Sequence, residues 1–288
     1  SDTHRLDDNL KKVIAKECPA DMLIHLGDAE GSEMFIPEWV NPGCEMQMIR
    51  GNNDFFSALE REREIAIGKY SVLLTHGHVD HAMGAPEFDT VYMSRKDDYI
   101  YMQHRELEVR KRFLSQSPKF AEVAEEDYIP VTAPDGFLDM EEGDVFDLGG
   151  VSIEIYACAG HTRGSVCMLI REERTLITGD ACNAFTFLFD AYSTGLSTYE
   201  KNLTELKAKT AGKFDRVYLS HGPGRDYPAV LLEEVLEVCE DIKSGNVDDV
   251  PFESRGRKAH IAKALTKEGG RPDGKLGNIV YDKARIEE

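Results

Sequence analysis

Residues 75–81 read Thr75-His76-Gly77-His78-Val79-Asp80-His81 and follow an apolar run typical of a β-strand. In an extended segment or a tight turn, His76 and His78 point to the same side and can hold one ion, while Asp80 and His81 can turn toward a second. Imidazole nitrogens and carboxylate oxygens are suitable ligands for zinc, iron or manganese. A single histidine is usually structural, but three at this spacing predict a metal site.

The overall composition is that of a globular chain with an acidic surface. Of the 288 residues, 41% are hydrophobic, and 53 acidic side chains oppose 34 basic ones for a net charge of −19. Because this charge repels phosphate backbones and anionic lipid, we expect a small-molecule substrate and neither a nucleic-acid nor a membrane partner. The basic residues within 253–275 predict a solvated helix and loop. The oligomeric state stays open.

The cysteines and the apolar runs indicate the compartment. Six cysteines are scattered without a C-x-x-C pair, which is typical of reduced thiols. No segment resembles a secretory signal, and no run approaches the roughly 20 apolar residues that a membrane span requires. We therefore expect a cytoplasmic protein.

Hydrophobic periodicity predicts a mixture of helices and strands. The predicted helices are residues 6–18, ended by Pro19, a partly exposed segment within 97–116, and a segment from Pro228 to Gly245. The predicted strands are residues 22–26, 45–50, 71–75, 151–155, 166–170, 175–178 and 216–220. Several of these strands end in polar residues, at the position where α/β sheets place their ligands. The predicted class is α/β (α+β).

Four segments together resemble the metallo-β-lactamase superfamily. Residues 76–81 match its HxHxDH motif, and three later segments match in the order of that family: Ala159-Gly160-His161-Thr162, Thr178-Gly179-Asp180 and Leu219-Ser220-His221-Gly222. The resemblance covers residues 71–222 and implies a four-layer αββα metallo-β-lactamase-type sandwich, with metals at one edge of the two sheets.

The same resemblance implies a role for each candidate ligand. His76, His78 and His161 would hold one metal, Asp80, His81 and His221 would hold the other, and Asp180 would bridge them; Asp80 is also assigned a catalytic role. The implied cofactors are two divalent ions, zinc in the first place, with manganese or iron as alternatives. Two such ions can share a water and lower its pKa.

Two identities indicate the branch of the family. The commonest true β-lactamases have cysteine where this chain has Asp180, so the chain is more similar to glyoxalase II, lactonases and other esterases. Flavodiiron oxidoreductases have glutamate where this chain has His78, which argues against a redox diiron centre.

Candidate substrate-binding residues follow two of the ligands. The aromatic residues after Asp180 either line an apolar pocket or pack in the core; they are Phe185, Phe187, Phe189 and Tyr192. Arg163 follows His161 where the family often has proline, and it is placed to pair either with a substrate anion or with a surface carboxylate.

The N-terminal segment resembles a different family, the calcineurin-like metallophosphoesterases. The matching segments are residues 1–4, 26–28, 50–54 and 75–78, and the corresponding metal ligands would be Asp2, His4, Asp28, Asn52 and His76. The closing GHxH motif of that family has its nearest equivalent in residues 160–163, where Arg163 replaces the last ligand, so this second site is incomplete.

The two resemblances overlap at residues 73–78, a string that both families can contain. The overlap suggests a chimera, formed by recombination, by engineering or by an assembly error. We assign residues 1–70 to a metallophosphoesterase-like segment packed into the sandwich, and residues 71–288 to a metallo-β-lactamase-type domain.

The function predicted first is a dinuclear metal-dependent hydrolase that uses a metal-bound hydroxide on an ester, thioester, lactone or amide bond. The alternatives are a phosphodiesterase, a non-catalytic metal-binding chimera and a mononuclear iron sulfur dioxygenase. Metal analysis separates them, since two zinc or manganese ions favour hydrolysis and one iron favours the dioxygenase.

Overall fold

A computed structural model of the chain describes residues 7–20, 22–25, 32–48, 72–115, 117–118, 120–221, 226–254 and 256–288. The chain divides into two compact units, Ser1–Tyr70 and Ser71–Glu288. Each unit is described by itself.

In the first unit, helix α1 (Asp8–Glu17) precedes strands β1 (Met22–His25) and β2 (Glu45–Met48), which pair in parallel. Short 3-10 helices, Ser32–Met34 and Ile36–Glu38, lie between the two strands in the chain. The helix predicted at 6–18 and the strands predicted at 22–26 and 45–50 are confirmed within the described residues. Ile14 on α1 and Ile36 are buried.

Among the described residues, the second unit contains most of the regular structure. Its strands are β3 (Val72–Thr75), β4 (Thr90–Met93), β5 (Val145–Asp147), β6 (Ser152–Ala157), β7 (Val166–Ile170), β8 (Thr175–Ile177), β9 (Phe185–Leu188), β10 (Arg216–Tyr218), β11 (Asp226–Pro228), β12 (Val250–Ser254), β13 (Arg257–Ile261) and β14 (Asn278–Tyr281). Its α-helices are α2 (Val79–Ala82), α3 (Asp98–His104), α4 (Leu107–Leu114), α5 (Leu196–Thr210) and α6 (Leu231–Ser244). Short 3-10 helices are Ala85–Glu87, Arg95–Asp97, Phe120–Glu122, Glu125–Asp127, Pro134–Gly136 and Lys283–Arg285.

The strands of this unit form three sheets. The largest has six strands in the order β11-β10-β8-β7-β6-β5, the second has four in the order β12-β13-β14-β9, and the third pairs β3 with β4 in parallel. Strands β8 and β10 are parallel neighbours, and β7 runs antiparallel to β8. The same end of the six-stranded sheet therefore contains the C-terminal ends of β6, β8 and β10 and the N-terminal end of β7.

A large apolar core joins helices α5 and α6 to both larger sheets. It includes Leu169 of β7, Leu203 of α5, Val235 of α6 and Ile279 of β14, all fully buried. A smaller cluster contains Val91 and Met93 of β4 together with residues of α2 and α3. The combination of helices and sheets confirms the predicted α+β class.

Three expectations about local structure need correction or completion. Pro228 ends strand β11, so the last long helix begins at Leu231. The basic segment forms strand β13 and a loop instead of a helix, and acidic residues of α6 neutralise part of it, with Lys263 pairing with Asp241 at 2.7 Å. Helix α5 was not predicted, although its buried residues have helical spacing: Leu196, Tyr199, Leu203, Leu206 and Thr210.

In the described part of the chain, no helix combines the length and the apolar character that a bilayer span demands.

Candidate metal centre

The strand ends bring the predicted ligands of the second unit together. His76 follows β3 directly, His161 lies in the loop between β6 and β7, Asp180 follows β8, and His221 follows β10. The amide of Thr178 donates to the carbonyl of Tyr218 at 2.9 Å, so the chain leaving β8 stays beside the chain leaving β10. This pairing places Asp180 next to His221.

The first group of donors consists of three imidazoles, His76, His78 and His161. His78 Nδ1 lies 3.2 Å from His76 Nε2 and 3.0 Å from His161 Nε2. His78 and His161 are both only 8% exposed. The carbonyl of Phe187 lies 3.0 Å from His161 Nδ1 and directs the other ring nitrogen toward the group.

The second group consists of Asp80, His81 and His221. His221 Nε2 lies 3.3 Å from His81 Nε2 and 3.4 Å from Asp80 Oδ2. The His221 side chain is 56% exposed, so this group opens to solvent while the first does not.

Asp180 lies between the two groups. Its Oδ2 is 3.1 Å from His81 Nε2 and 3.4 Å from His221 Nε2 on one side. On the other side the same oxygen is 3.7 Å from His161 Nε2 and 3.8 Å from His76 Nε2. One carboxylate oxygen therefore approaches both sets of donors.

The electrostatics of the cluster keep several donors in the form that binds a cation. Burial, reinforced by neighbouring imidazoles, lowers the pKa of His76 and of His78 well below the usual range, so both rings are neutral at neutral pH. Burial alone would raise the pKa of Asp180, but hydrogen bonds from His221 and His81 outweigh it and hold the carboxyl ionised. The hydrogen bond to Asp180 raises the pKa of His221.

The donor set fits two divalent cations. A tetrahedral site with bonds of about 2.0–2.1 Å separates its ligand atoms by about 3.3 Å, and the donor pairs within each group lie close to that separation. The ligand atoms of each group all lie within 4.8 Å of one another. Neutral imidazoles packed this closely repel through their lone pairs unless a cation or a proton lies between them, so the cluster matches a metal centre.

A buried carboxylate that the sequence did not single out connects two of the ligand loops. Asp97 is fully buried and accepts hydrogen bonds from the Thr162 hydroxyl at 2.7 Å, the Gly164 amide at 2.8 Å and the Gly77 amide at 3.3 Å. A Cβ on Gly77 would lie 2.7 Å from the Asp97 carbonyl oxygen, so only glycine permits this approach. Asp97 thus joins the loop of His76 and His78 to the loop of His161.

His104, at the end of α3, is a second residue that the sequence did not single out. Its Nδ1 accepts a hydrogen bond from the Val79 amide at 3.1 Å, and its ring stacks on His78 with centroids 5.2 Å apart. Asp97 therefore accepts from the Gly77 amide and His104 from the Val79 amide. These two amides lie between the ligands His76, His78 and Asp80 in the chain. No local sequence pattern signals this, because the partners are separated by 20 and 25 positions.

The candidate substrate residues occupy two different places. Phe185 and Phe187 lie in β9 and Phe189 follows it. Their rings contact Phe252 of β12, with ring centroids 6.5, 5.9 and 5.7 Å away. These rings therefore pack against Phe252, and their contact with a substrate stays a prediction. Tyr192 lies closer to the donors, with its ring 5.6 Å from that of His78.

A cavity of about 280 Å³ borders the donor cluster. Its lining includes His76, Asp80 and Asp180 together with apolar residues, among them Leu73, Met168 and Ile177.

The candidate ligands of the phosphoesterase-like segment lie outside the described residues: Asp2, His4, Asp28 and Asn52. Their fifth partner, His76, belongs to the cluster above.

Family comparison agrees with the arrangement of donors. The family model described as the metallo-beta-lactamase superfamily matches residues 69–221, just over half of the chain. The chain belongs to the metallo-β-lactamase superfamily. A second model, the calcineurin-like phosphoesterase superfamily domain, matches residues 1–112 and overlaps the first. Both resemblances predicted from the sequence, and the metallo-β-lactamase-type fold class, are thereby confirmed.

Curated relatives match part of the chain at low identity. An uncharacterized protein of Mycobacterium leprae is 32% identical over 168 residues, covering 58% of this chain and 62% of the relative. An acyl-coenzyme A thioesterase of Gallus gallus is 29% identical over 37% of this chain and 39% of its own. A hydroxyacylglutathione hydrolase of Haemophilus influenzae is 26% identical over 49% and 58%. The chain spans less than two thirds of the length of each.

Solved structures of the superfamily are more distant in sequence. An archaeal metallo-beta-lactamase superfamily protein from Sulfolobus tokodaii is 19% identical, with a TM-score of 0.42 over 66% of this chain and 73% of its own. A stereoselective inverting sec-alkylsulfatase from Pseudomonas sp. is 11% identical, with a TM-score of 0.44 over 82% of this chain and 42% of its own.

Proposed function

We propose that this chain is a metal-dependent hydrolase that cleaves an ester, thioester, lactone or amide bond. The observation that carries the proposal is the position of Asp180, whose Oδ2 lies within 3.8 Å of imidazoles from both donor groups. A carboxylate in this position between two triads of donors is suited to bridge two cations.

The donor residues have distinct roles in the proposed reaction. His76, His78 and His161 would hold one divalent cation, zinc in the first place, and Asp80, His81 and His221 would hold the other. Cations at these positions would lower the pKa of the attacking water and polarise the carbonyl group of the substrate. Asp80 is 29% exposed at the open side of the cluster, where its carboxylate is placed to take up the proton that the attacking water releases.

The substrate class proposed first is a thioester. Two curated relatives are named as an acyl-coenzyme A thioesterase and a hydroxyacylglutathione hydrolase. The apolar residues that line the cavity together with His76 and Asp180 support an acyl group of several carbons at this position.

A phosphodiesterase is the second candidate, favoured by the match of residues 1–112 to the calcineurin-like phosphoesterase superfamily. Both reactions are expected to need two cations, so metal content does not distinguish them. A substrate screen does. Hydrolysis of bis-p-nitrophenyl phosphate without hydrolysis of any ester or thioester would favour the second candidate.

The test combines metal analysis with that screen on the full chain. We expect two divalent ions per chain and turnover of at least one thioester, ester or lactone. Asp180→Asn should lower the metal content below two ions per chain and abolish turnover, whereas Asp135→Asn, which makes the same change at an exposed position, should leave both unchanged. A wild-type chain that holds one iron and oxidises a persulfide would contradict the proposal, as would a metal-loaded chain inactive on every carbonyl substrate.

A further inference from the structure

A short turn, residues 190–193, lies between β9 and α5 and bonds to the loop that carries His161. The Ser193 hydroxyl donates a hydrogen bond to the carbonyl of His161 at 3.1 Å. The next residue, Thr194, donates from its amide to the carbonyl of Gly160 at 2.8 Å. Two consecutive carbonyls of the ligand loop are therefore bonded to this turn and to the residue that follows it.

The same turn also places the ring of Tyr192 beside the first donor group. That ring lies 5.6 Å from the ring of His78 and 5.2 Å from the ring of His104. The hydroxyl of Tyr99 donates to the carbonyl of Tyr192 at 3.5 Å, and the guanidinium carbon of Arg163 lies 6.0 Å from the centre of the Tyr99 ring. A displacement of the turn would therefore disturb the surroundings of a second ligand as well.

Arg285 bonds to both ends of the turn. Its Nη1 donates to the carbonyl of Asp190 and its Nη2 to the carbonyl of Ser193, both at 2.9 Å. Within the turn, Asp190 Oδ1 accepts from the amide of Tyr192 at 2.7 Å and from the amide of Ser193 at 3.0 Å. Because the guanidinium group is planar and its N–H donors are rigidly spaced, the two bonds fix the distance between the first and the last carbonyl of the turn.

The segment around Arg285 is itself anchored on the start of α5. The amide and the hydroxyl of Ser197 donate to the carbonyl of Ile286 at 3.1 and 2.8 Å. A Cβ on Gly195 would lie 2.7 Å from the carbonyl oxygen of Arg285, so the two backbones approach closely. The Arg285 side chain is 21% exposed, and its Nε donates to Glu288 Oε2 at 2.8 Å. The guanidinium group therefore meets the turn from a fixed position.

We propose that Arg285 is a positioning residue of the metal centre, which keeps His161 in place by holding the 190–193 turn against the ligand loop. The proposal rests on the proposed function, since it concerns the cation that His161 would bind. His161 Nε2 lies 3.0 Å from His78 Nδ1, so a small shift of the ligand loop changes the distance between two donors of one cation. A ligand whose position is fixed in advance loses less conformational freedom when the metal binds.

Cobalt binding to the chelator-treated full chain tests the positioning role. Arg285→Gln removes the paired bonds to the turn, so we expect the first equivalent of Co²⁺ to bind about five-fold more weakly and its absorption band to shift. The loss should stay below the roughly 10–100-fold that follows when a direct partner of a ligand is changed, because Arg285 acts through the backbone. Arg285→Lys, which keeps the charge without the planar donors, should restore only part of the affinity.

Arg110→Gln is the matched control. The Nη1 of Arg110 also donates to a backbone carbonyl, that of Ile129, at 2.7 Å, and this bond lies outside the turn. The cobalt affinity and the spectrum of this variant should match those of the wild type. Equal affinities and spectra of Arg285→Gln and Arg110→Gln would overturn the positioning role and leave the proposed function intact.

A double-mutant cycle shows whether the effect passes through the turn. Ser193→Ala removes the hydroxyl that donates to the His161 carbonyl. Substitutions within one hydrogen-bond network are not additive, so the double variant of Ser193→Ala and Arg285→Gln should lose less binding free energy than the sum of the two single losses. Fully additive losses would overturn the proposal, since Arg285 would then act by another route.

Hydrogen exchange separates a failure of this proposal from a failure of the proposed function, because it needs neither metal nor turnover. In the metal-free chain, Arg285→Gln should speed exchange of the Thr194 amide, which donates to the ligand loop, by several-fold, and Arg110→Gln should not. Unchanged exchange of that amide would overturn the positioning role even where substrates are hydrolysed. Faster exchange and weaker cobalt binding in a chain that hydrolyses nothing would overturn only the proposed function.

Discussion

The two donor groups of the centre differ in how firmly the protein holds them. In the first group, His161 bonds to the Phe187 carbonyl, and the ring of His78 packs against the rings of His104 and Tyr192. The second group includes His221, whose side chain is 56% exposed. A ligand fixed by its surroundings loses less conformational freedom when a metal binds. We therefore expect the first position to bind its ion more tightly, and the second to exchange with solvent.

The largest effect is expected for the residue that the two groups share. Asp180→Ala removes the only carboxylate oxygen that approaches imidazoles of both groups within the described residues. The metal content should fall below two ions per chain, and kcat should fall by more than about 100-fold, the upper value for loss of an outer-shell partner. Mass spectrometry under native conditions and turnover measure both. Retention of two ions with full rate would refute the central assignment.

A pair of single substitutions tests the difference between the groups directly. His221→Ala should remove one ion and leave the other, because the buried group remains complete. His78→Ala should remove the tightly held ion, because it deletes the imidazole that lies within 3.2 Å of both other members of its group. Chelator titration of each variant gives the number and affinity of the remaining ions. Equivalent behaviour of the two variants would mean that burial does not set the affinity.

Lowering the pH should destabilise the metal-free chain. The pKa values of His76 and His78 are lowered in the folded state, so below about pH 6.5 the unfolded state binds more protons than the folded state. Their stabilisation is present above that pH and is lost as the pH falls, by up to about 1.4 kcal/mol per pH unit for each group.

His221 acts in the opposite direction, since its pKa is raised and its stabilisation is lost as the pH rises. Because two groups oppose one, the Tm of chelator-treated protein should decrease between pH 7 and pH 5. Thermal melts at constant ionic strength measure this, and a Tm that is constant or increases toward pH 5 would contradict the assignment of neutral, buried imidazoles.

A smaller loss of metal affinity is expected for substitution of Asp97, which bonds to both loops that carry the first donor group. Asp97→Asn preserves the size of the side chain but replaces one of the acceptor oxygens that meet Thr162, Gly164 and Gly77. We expect metal affinity at the first position to weaken by roughly 10–100-fold, as for other outer-shell partners. The cobalt-substituted protein should also show a shifted absorption band. Asp135→Asn serves as the control, and equal spectra of the two variants would exclude a positioning role for Asp97.

The smallest effect is expected in the phosphoesterase-like segment. Asp28→Ala and Asn52→Ala change residues whose ligand set lacks its last member, so metal content and turnover should match the wild type. If Asp28→Ala loses metal while Asp180→Ala keeps full activity, the active site would have to be assigned to residues 1–70 instead.

Local patterns were sufficient for part of this protein. Helix α1 and strands such as β7 follow from the spacing of apolar residues and from proline and glycine at their ends. The identity and order of the candidate ligands also follow from sequence, because each lies in a short motif. Pro228 shows the limit, since a proline suited to a helix start ends strand β11 instead. Pro228 is in a strand because β11 pairs with β10, and a single sequence does not reveal strand pairing.

Only the tertiary structure decided how the motifs act together. The sequence determined which side chains are available for metal binding and for an α+β fold, since composition and local spacing carry that information. The position of Asp180 between two triads depends on β8 and β10 being parallel neighbours. The contacts of Asp97 with Thr162 and Gly164 join residues 65 and 67 positions apart. Such contacts depend on strand order and register, because loops at one sheet edge meet regardless of their separation along the chain.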